Sequence, residues 1–217
     1  MTIDLPKIYP ITDTQLSRLS HTEQVARLIE GGATLIQLRD KHAAPREFYR
    51  DATSALKVAC AHNVKLIIND RVDIALALEA DGVHLGQTDM PADAARRLLG
   101  KEAIIGFSTH NIEQAGLASA LPIDYLAFGP IFQTSTKENP DPVTGLQRLR
   151  QLRTIKGSLP LVAIGGITFE NAVEALKAGA DSVALIAELV SDSAKIAENM
   201  STMLALASTV PNHSSPS

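Results

Sequence analysis

The stretch KLIINDRVDIALALEADGVHL, residues 65–85, sets two short apolar runs on either side of an amphipathic segment. The runs KLIIND and DGVHLG have the length and apolar content typical of buried strands. The segment between them, VDIALALEA, has the apolar spacing of a helix. The stretch therefore predicts one βα unit followed by the strand of the next unit.

The same alternation continues along the whole chain, and no change in composition marks a linker. The first long amphipathic segment opens with the S-x-x-E capping box Ser20-His21-Thr22-Glu23 and closes at Gly31-Gly32. The predicted strands begin near Lys7, Thr34, Lys65, Asp81, Ala103, Asp124, Leu161 and Ser182, the last one running through SVALIAEL.

Eight βα units in 217 residues predict an α/β fold, a single-domain (β/α)8 TIM barrel over residues 1–208. We expect the polar segment 209–217 to be a disordered tail. The alternative is a doubly wound open sheet, whose first βα turn should carry a glycine fingerprint. The first turn here, ITDTQLS, contains no glycine.

The composition is that of an ordinary globular protein, with 45% hydrophobic residues, 20% charged residues and a formal charge of −4. The negative charge argues against a nucleic-acid surface, which needs a basic stripe. No apolar run approaches the roughly 18 residues of a membrane span, and MTIDLPKIYP lacks a signal-peptide pattern. We therefore expect no membrane partner and a cytoplasmic location. The lone Cys60 excludes an internal disulfide, and we expect it to be buried in a helix.

Polar side chains follow the predicted strands, at the end where barrels of this type carry their active sites. The set suits phosphate-bearing ligands and a divalent cation. Its members are Asp13, Gln37, Arg39, Asp40, Lys41, Asn69, Asp70, His84, Gln87, Asp89, Ser108, Thr109, His110, Thr134, Ser135, Thr136 and Lys137.

One predicted anion zone lies after strands six to eight. The Gly165-Gly166 turn lets backbone N–H groups approach an anion at the start of a helix, although a tight turn that simply needs glycine is the alternative. The segment TSTK, residues 134–137, offers hydroxyl donors and the ammonium of Lys137, a point charge suited to a phosphate. A solvated loop is the alternative for that segment.

A second predicted anion zone lies after strands two to four. Asp70 and Asp89 meet the preference of Mg²⁺ for a few carboxylates plus water and phosphate oxygens, whereas a helix cap is the alternative for Asp70. Gln37, Arg39 and Lys41 share one face of a strand. Two cations at the mouth of the barrel need anions, which a diphosphate, a nearby aspartate or both would supply.

The histidines add little to this prediction. His84 lies within a predicted strand, where a hydrogen-bonded core residue and a catalytic group are both open, and His21 and His62 are expected on helix surfaces. No Ser-His-Asp or Cys-His arrangement is evident in the sequence. Two anion zones with a metal fit a metal-assisted transfer with diphosphate as the leaving group, because cations neutralise the charge that develops there.

The motifs QLRDK, IINDRVDIALALEADGVHLGQTDMP, IGFSTHN, FGPIFQTSTK and AIGGIT, in this order, resemble those of the thiamine phosphate synthase family, from about Tyr9 to about Leu189. The resemblance implies a (β/α)8 barrel and a magnesium-dependent transferase of thiamine biosynthesis. Such an enzyme joins hydroxymethylpyrimidine diphosphate (the pyrimidine diphosphate) to hydroxyethylthiazole phosphate (the thiazole phosphate). The implied mechanism is dissociative: diphosphate leaves, a pyrimidine methyl cation forms, and the thiazole nitrogen attacks it.

The resemblance also implies roles for single residues, with Asp70 and Asp89 holding magnesium. The catalytic candidates are Lys137, Arg39 and Ser108, with Lys137 stabilising the leaving diphosphate. The family commonly has a serine where this chain has Ala187, so one hydroxyl contact is missing. Implied contacts to the pyrimidine diphosphate are Gln37, Leu38, Arg39, Asp40, Lys41, Asn69, Ser108 and Lys137; those to the thiazole phosphate are Thr134, Ser135, Thr136, Gly166, Ile186 and Ala187.

Two rival functions share the predicted fold. A thiazole tautomerase is an isomerase that needs neither diphosphate nor metal, and the presence of Asp70, Asp89, Arg39 and Lys41 together argues against it. A non-catalytic sensor of phosphorylated ligands would bind the thiazole phosphate without forming product. The polar run from Gln133 to Asp141 is typical of a mobile lid, which favours catalysis over sensing.

Overall fold

The computed structural model describes residues 3–134, 141–155 and 158–211. Eight strands form one sheet in which each strand runs parallel to its neighbours, and each begins within one residue of its predicted start. The strands are β1 (Ile8–Pro10), β2 (Leu35–Leu38), β3 (Lys65–Asn69), β4 (Gly82–Leu85), β5 (Ile104–Thr109), β6 (Tyr125–Phe128), β7 (Leu161–Ile164) and β8 (Ser182–Leu185).

The sheet closes on itself. Its hydrogen-bonded order is β1-β8-β7-β6-β5-β4-β3-β2, so β1 and β2 are the two ends of the list. A parallel bridge between Ile11 and Gln37 joins those ends, and the Thr12 N–H donates to the Gln37 carbonyl at 2.9 Å. The predicted (β/α)8 barrel is therefore confirmed, and the open sheet is wrong.

Helices surround the strands as predicted, and the capping box is present: Ser20 Oγ accepts from the Glu23 N–H at 3.2 Å, and Glu23 Oε2 accepts from the Ser20 N–H at 3.0 Å. A one-turn helix before it, capped by Asp13, was not predicted because it is too short to show a periodic pattern. The helices are α1 (Thr14–Ser17), α2 (His21–Glu30), α3 (Pro45–Ala61), α4 (Val72–Leu78), α5 (Ala92–Leu99), α6 (Ile112–Ala118), α7 (Gly145–Ile155), α8 (Ala172–Lys177), α9 (Ala187–Val190) and α10 (Ile196–Ser208).

Three details differ from the sequence-based expectations. The eighth strand ends at Leu185, and the end of SVALIAEL instead opens α9. Cys60 is exposed, because α3 turns the face carrying Ala52, Ala55 and Ala59 toward the core. Among the described residues, none of the helices has both the length and the hydropathy needed to cross a bilayer.

The beginning and the end of the described chain are tied together. The Lys7 ammonium donates to the carbonyl of Val210, which is itself buried. Helix α10 packs on α2, where a Cβ at Gly31 would lie 2.6 Å from the Ala197 carbonyl oxygen. Residues 212–217 of the predicted tail lie outside the described residues.

Strand alternation divides the core into two layers, since successive side chains of a strand point to opposite faces. The inner layer fills the barrel and the outer layer packs against the helices. The inner layer contains Tyr9, Ile11, Leu35, Ile67, Ile104, Tyr125, Ala127, Val162 and Ala184. Outer strand residues include Ile8, Ile36, Leu38, Leu66, Ile68, Val83, Leu85, Ile105, Leu126, Phe128, Leu161, Ala163, Val183 and Leu185.

An aspartate precedes β4, β6 and β8 and receives a backbone hydrogen bond from the neighbouring strand. Asp81 accepts from the Leu66 N–H at 2.8 Å, Asp124 from the Ile105 N–H at 2.7 Å, and Asp181 from the Leu161 N–H at 2.8 Å. These carboxylates lie at the N-terminal ends of the strands, the face of a barrel that serves stability rather than catalysis.

Arginines from helices reinforce two of these aspartates. Arg96 of α5 pairs with Asp124 at 2.6 Å and donates to the Ala103 and Pro122 carbonyls at 2.5 and 3.2 Å. Arg153 of α7 pairs with Asp181 at 2.6 Å. Each ion pair thus fixes a helix to the start of a strand.

We expect Asp124→Ala to lower the free energy of unfolding by about 2–3 kcal/mol, because it leaves the Ile105 N–H and the Arg96 guanidinium without their carboxylate. Glu102→Ala is the matched control, since Glu102 forms a largely exposed pair with Lys101 at 3.7 Å and should change stability by less than about 1 kcal/mol. Urea unfolding measures both variants. Equal effects of the two substitutions would show that the aspartate does not tie the strands together.

Candidate active site

A cavity of about 690 Å³ lies at the C-terminal ends of the strands. It brings together most of the side chains that the sequence places in the site. Gln37, Arg39, Lys41, Asn69, Asp70, Asp89, Ser108, Thr134, Gly166, Ile186 and Ala187 line it. Ser135, Thr136 and Lys137 lie outside the described residues, as does most of the predicted lid.

Asp70 and Asp89 meet at one side of the cavity. Asp70 adopts a left-handed backbone with φ +60°, which is uncommon for a residue with a side chain, and its N–H donates to the His84 carbonyl at 2.8 Å. Asp89 Oδ2 accepts from the Gly86 N–H at 2.7 Å. The two carboxyls are close enough to share a hydrogen bond. The helix cap considered for Asp70 is not formed, because Arg71 occupies the N-cap position of α4.

The carboxylate pair suits a small divalent cation. Burial raises the pKa of the Asp89 carboxyl, and the neighbouring Asp70 raises it further, because two like charges repel. A cation between them would relieve that repulsion. Residues 3–134, 141–155 and 158–211 contain no group of three or more His, Cys, Asp or Glu side chains suited to a metal. The pair offers two oxygen ligands, and Mg²⁺ usually completes its shell with water and substrate oxygens.

The two cations predicted after β2, Arg39 and Lys41, line the same side of the cavity, and each is paired with an aspartate. Arg39 Nη1 lies 3.0 Å from Asp13 Oδ2, and the Lys41 ammonium contacts the Asp70 carboxylate. The Arg39 side chain is 18% exposed and that of Lys41 is 46% exposed. The ion-pair alternative is therefore present, and both side chains still face the space where an anion would bind.

Asp40 faces away from that space. Its Oδ1 accepts from the His42 and Ala43 N–H groups at 2.9 and 2.8 Å, and its Oδ2 accepts from the Thr14 hydroxyl at 3.0 Å. The nearby His21 ring and these donors hold the pKa of the Asp40 carboxyl far below its usual range. Asp40 thus holds the loop that carries Arg39 and Lys41. Its predicted contact with substrate stays a prediction, as does that of Leu38, which packs in the outer layer.

His21 is buried, so its predicted place on a helix surface is wrong. It begins α2 directly above the end of β1, where its Nδ1 lies 2.7 Å from the Thr12 hydroxyl and its Nε2 lies 3.4 Å from Asp40. Its ring packs against Phe48 with centroids 5.4 Å apart. The sequence places His21 inside a polar capping box, and that box conceals the inward direction of the side chain.

The opposite side of the cavity is built from backbone. Gly165 and Gly166 both have positive φ values, 95° and 66°, and a Cβ at Gly166 would lie 2.4 Å from the Gln133 carbonyl oxygen. Glycine is therefore required by conformation and by space, as the tight-turn alternative states. The same turn also lines the cavity, next to Ile186 and Ala187 at the start of α9. Glu188 lies beside them and accepts from the Phe169 N–H at 3.0 Å.

Thr134 lies in the loop after β6, which begins at Gly129, and lines the cavity. The far end of that loop is held at Thr144, whose N–H and hydroxyl both donate to the Pro130 carbonyl at 2.8 and 3.0 Å. His110, which lines the cavity but received no role from the sequence, lies 2.8 Å from the Gly129 carbonyl and 3.5 Å from Asp141. The position of His110 directly after β5 was the feature of the sequence that could have indicated a place in the site.

A chain of hydrogen-bonded polar side chains, all buried except the half-buried Ser108, crosses the barrel beneath the cavity. Gln37 Nε2 donates to the Tyr9 hydroxyl at 3.1 Å, which lies 3.0 Å from the Tyr125 hydroxyl. Tyr125 lies 2.9 Å from His84 Nδ1, and His84 Nε2 lies 2.8 Å from Ser108 Oγ. Burial raises the pKa of both tyrosines, so both hydroxyls remain protonated. Sequence reasoning missed the tyrosines because a single strand does not show which inner residues meet across a barrel.

His84 is therefore a buried, hydrogen-bonded histidine at the edge of the cavity. Burial lowers its pKa to about 4, although the Asp89 charge partly opposes the shift. The ring is thus neutral at pH 7. Gln87, which follows β4, donates from Nε2 to the Ser108 carbonyl at 2.6 Å, so Ser108 is held from two sides.

Taken together, the cavity has one side with two carboxylates and two cations and another side of exposed backbone at a glycine turn. The first side can hold a metal and a diphosphate, since cations and carboxylates complement the oxygens of a magnesium-bound anion. The second side can bind a smaller anion through N–H groups. Two phosphorylated ligands, or one long ligand, fit such a cavity.

Comparisons with known proteins agree with this geometry. The family model described as thiamine monophosphate synthase matches residues 8–189. A thiamine-phosphate synthase of Koribacter versatilis is 47% identical over 197 residues, which cover 88% of this chain and 92% of the relative. That of Clostridium novyi is 45% identical over 185 residues, covering 85% and 90%. The solved thiamine phosphate pyrophosphorylase from Pyrococcus furiosus matches with a TM-score of 0.84 at 35% identity, covering 94% of this chain and 96% of that one.

The neutral, buried His84 should make the fold sensitive to acid. The unfolded chain protonates this residue near its ordinary pKa of 6.5 and the folded chain near 4. Between those pH values the unfolded state binds more protons than the folded state, so the free energy of unfolding decreases as the pH is lowered. Between pH 7 and pH 5 the loss from His84 should be about 2 kcal/mol. His84→Gln, measured by urea unfolding without added metal, should lose less stability than wild type over that range. Identical pH slopes for the two proteins would contradict the assignment.

Proposed function

The chain belongs to the thiamine monophosphate synthase family, and we propose that its cavity joins a pyrimidine diphosphate to a thiazole phosphate, releasing diphosphate. The family membership makes the chain a transferase and does not favour the isomerase or the sensor. The observation that carries the proposal is the Asp70–Asp89 pair, which shares one cavity with the Gly165-Gly166 turn. Such a cavity can hold both phosphorylated substrates at once.

Asp70 and Asp89 would hold the Mg²⁺ of the reaction. Their carboxylates come from adjacent strands, face each other and lie beside the two cations of the β2 loop. Bound there, Mg²⁺ supplies positive charge that neutralises the diphosphate as it leaves. The raised pKa of Asp89 indicates that this pair favours a positive charge between its members.

Arg39 and Lys41 would bind the diphosphate itself. Asp13 holds the Arg39 guanidinium in place while leaving its other N–H groups available, and a guanidinium presents five donors. Lys41 is the more exposed cation and can direct its three donors toward an anion as well as toward Asp70. Lys137 would add a third cation, a role that rests on its position in the sequence.

Gln37, Asn69 and Ser108 would position the pyrimidine end of that substrate. All three line the cavity, and Gln37 and Asn69 are almost fully buried. Buried amides and hydroxyls fix orientation because each must find a partner of the right kind. Holding the ring in this way places the bond to the leaving diphosphate beside the cations.

The thiazole phosphate would bind at the glycine turn, with Gly166 and the backbone of Ile186 and Ala187 as donors and with Thr134 beside them. Ala187 supplies no hydroxyl, so the site depends on backbone donors more than a serine-bearing site would. The substrate nitrogen then faces the pyrimidine across the cavity.

The reaction we propose is dissociative. The carbon–oxygen bond to diphosphate breaks, the electron pair leaves with the diphosphate, and the pyrimidine methyl cation accepts the lone pair of the thiazole nitrogen. No protein nucleophile or base is required. The work of the chain is to orient two substrates and to stabilise charge where it develops.

Diphosphate release in the presence of both substrates tests the proposal. Asp70→Asn and Asp89→Asn should each slow Mg²⁺-dependent release by roughly 100-fold or more, because each removes a metal ligand next to the leaving group. We expect Mg²⁺ to raise the Tm of the wild type, because it binds only the folded state, and both variants should abolish that rise. The matched control is Asp73→Asn, whose 64% exposed carboxylate pairs with Arg71, and it should retain both properties.

Two outcomes would overturn the proposal. A folded wild-type protein that binds the thiazole phosphate and releases no diphosphate would be a sensor or an isomerase. Asparagine variants that keep Mg²⁺-dependent release would place the metal elsewhere.

A further inference from the structure

Three buried side chains beneath the cavity, those of Tyr9, Tyr125 and His84, connect two residues that we assign to the pyrimidine diphosphate. Gln37 stands at one end and Ser108 at the other, and both line the cavity. Tyr9 and Tyr125 stand between them and are almost completely buried, with 1% and 0% exposure. His84 links Tyr125 to Ser108. The chain spans β2, β1, β6, β4 and β5, so it crosses the full width of the barrel.

We propose that these hydrogen bonds run in one direction, from Gln37 to Ser108, and that Tyr9, Tyr125 and His84 are positioning residues that fix the Ser108 hydroxyl as a donor to the diphosphate. The inference rests on the function proposed above. It adds Tyr9, Tyr125 and His84 as residues that act through Gln37 and Ser108. It also specifies which ring nitrogen of His84 carries the hydrogen.

The direction follows from counting hydrogens. Gln37 Nε2 donates to the Tyr9 hydroxyl, and either tyrosine can donate in the contact between Tyr9 and Tyr125. Only if Tyr9 donates to Tyr125 does the single Tyr9 hydrogen find an acceptor within the chain. Tyr125 then accepts from Tyr9 and donates to His84 Nδ1. A neutral imidazole that accepts at Nδ1 carries its hydrogen on Nε2, which donates to Ser108 Oγ.

The reverse direction fits the cavity poorly. In that direction the Ser108 hydroxyl would donate its hydrogen to His84 Nε2. Only the lone pairs of Ser108 Oγ would then face the cavity. That space adjoins Arg39 and Lys41, where the proposed function places the diphosphate. In the forward direction Ser108 Oγ accepts from His84 and keeps its own hydrogen for an oxygen of the anion, and Gln37 keeps its Oε1 as an acceptor.

The strand next to Tyr125 has a glycine where a side chain would collide with the hydrogen-bonded network. A Cβ at Gly106 on β5 would lie 2.0 Å from Tyr125 Cζ and 2.3 Å from its hydroxyl oxygen. Gly106 therefore leaves space for the hydroxyl end of the Tyr125 ring. The rings also stack closely: Tyr9 meets Tyr125 edge to face with centroids 5.9 Å apart, and His84 stacks on Tyr125 at 5.5 Å. An apolar side chain would fill the barrel without burying a hydroxyl, so satisfied polar groups here need a reason beyond packing.

A simpler account is that the tyrosines and the histidine merely satisfy one another. That account predicts that removing one hydroxyl changes stability slightly and catalysis not at all. The directional account predicts a loss of turnover, because Ser108 and His84 lose the partner that fixes their hydrogens before the substrate arrives.

The test variant is Tyr125→Phe, which keeps the ring and removes the link. The control is Tyr49→Phe, because Tyr49 lies on α3 with 41% exposure. We expect Tyr125→Phe to lower kcat by about 10-fold or more, as for weakened preorganisation of one donor, with KM for the thiazole phosphate unchanged. The control should match wild type. Wild-type kcat in Tyr125→Phe would overturn the positioning role.

A second measurement does not depend on activity. Nitrogen-15 NMR of the histidines, with His84→Gln identifying the His84 signal, reports which ring nitrogen carries the hydrogen. We expect wild-type His84 protonated at Nε2 and bare at Nδ1 at pH 7, and a changed pattern in Tyr125→Phe. A hydrogen on Nδ1 would show the reverse direction and overturn the inference. If the protein released no diphosphate, the proposed function would fail while this signal would still report the direction.

Discussion

Closure of the barrel is the constraint on which the rest of the structure depends. Once the Ile11–Gln37 bridge joins the first strand to the second, every second side chain of each strand must share one interior. The interior is narrow, so its residues meet partners from strands far apart in sequence. Tyr9 reaches Tyr125, and Tyr125 reaches His84, only because the sheet is closed. Above this layer the same closure places the strand ends around a single cavity.

The charged side chains of the cavity are concentrated on one side, and the other side is mainly backbone. Asp13, Asp70 and Asp89 surround the cations of the β2 loop, so Arg39 and Lys41 are held in place before any ligand binds. The glycine turn faces them with backbone and few charges. In the function we propose, a substrate with a diphosphate binds at the first side and a substrate with one phosphate binds at the second. Orientation by fixed groups is what a dissociative transfer needs, since the reactive cation must meet its partner at once.

The sequence was sufficient to predict the barrel, the strand starts and eleven cavity-lining residues, because each rests on a local pattern. Period-two alternation placed Gln37, Arg39 and Lys41 correctly, and the same rule accounts for Leu38 and Asp40 facing the helices. Burial of His21 and exposure of Cys60 could not be predicted, because they depend on how helices sit against the barrel. The aspartates before β4, β6 and β8 repeat in sequence, yet their partners become visible only when neighbouring strands pair.

The central claim is that one cavity holds a metal-bound diphosphate at Asp70 and Asp89 and a separate phosphate at the glycine turn. A crystal grown with Mn²⁺, diphosphate and the thiazole phosphate tests it most directly, since manganese can replace magnesium and gives an anomalous signal. The account predicts one manganese peak between the two carboxylates, diphosphate beside Arg39 and Lys41, and a phosphate at Gly166. Manganese bound away from that pair, or both anions on the same side of the cavity, would contradict it.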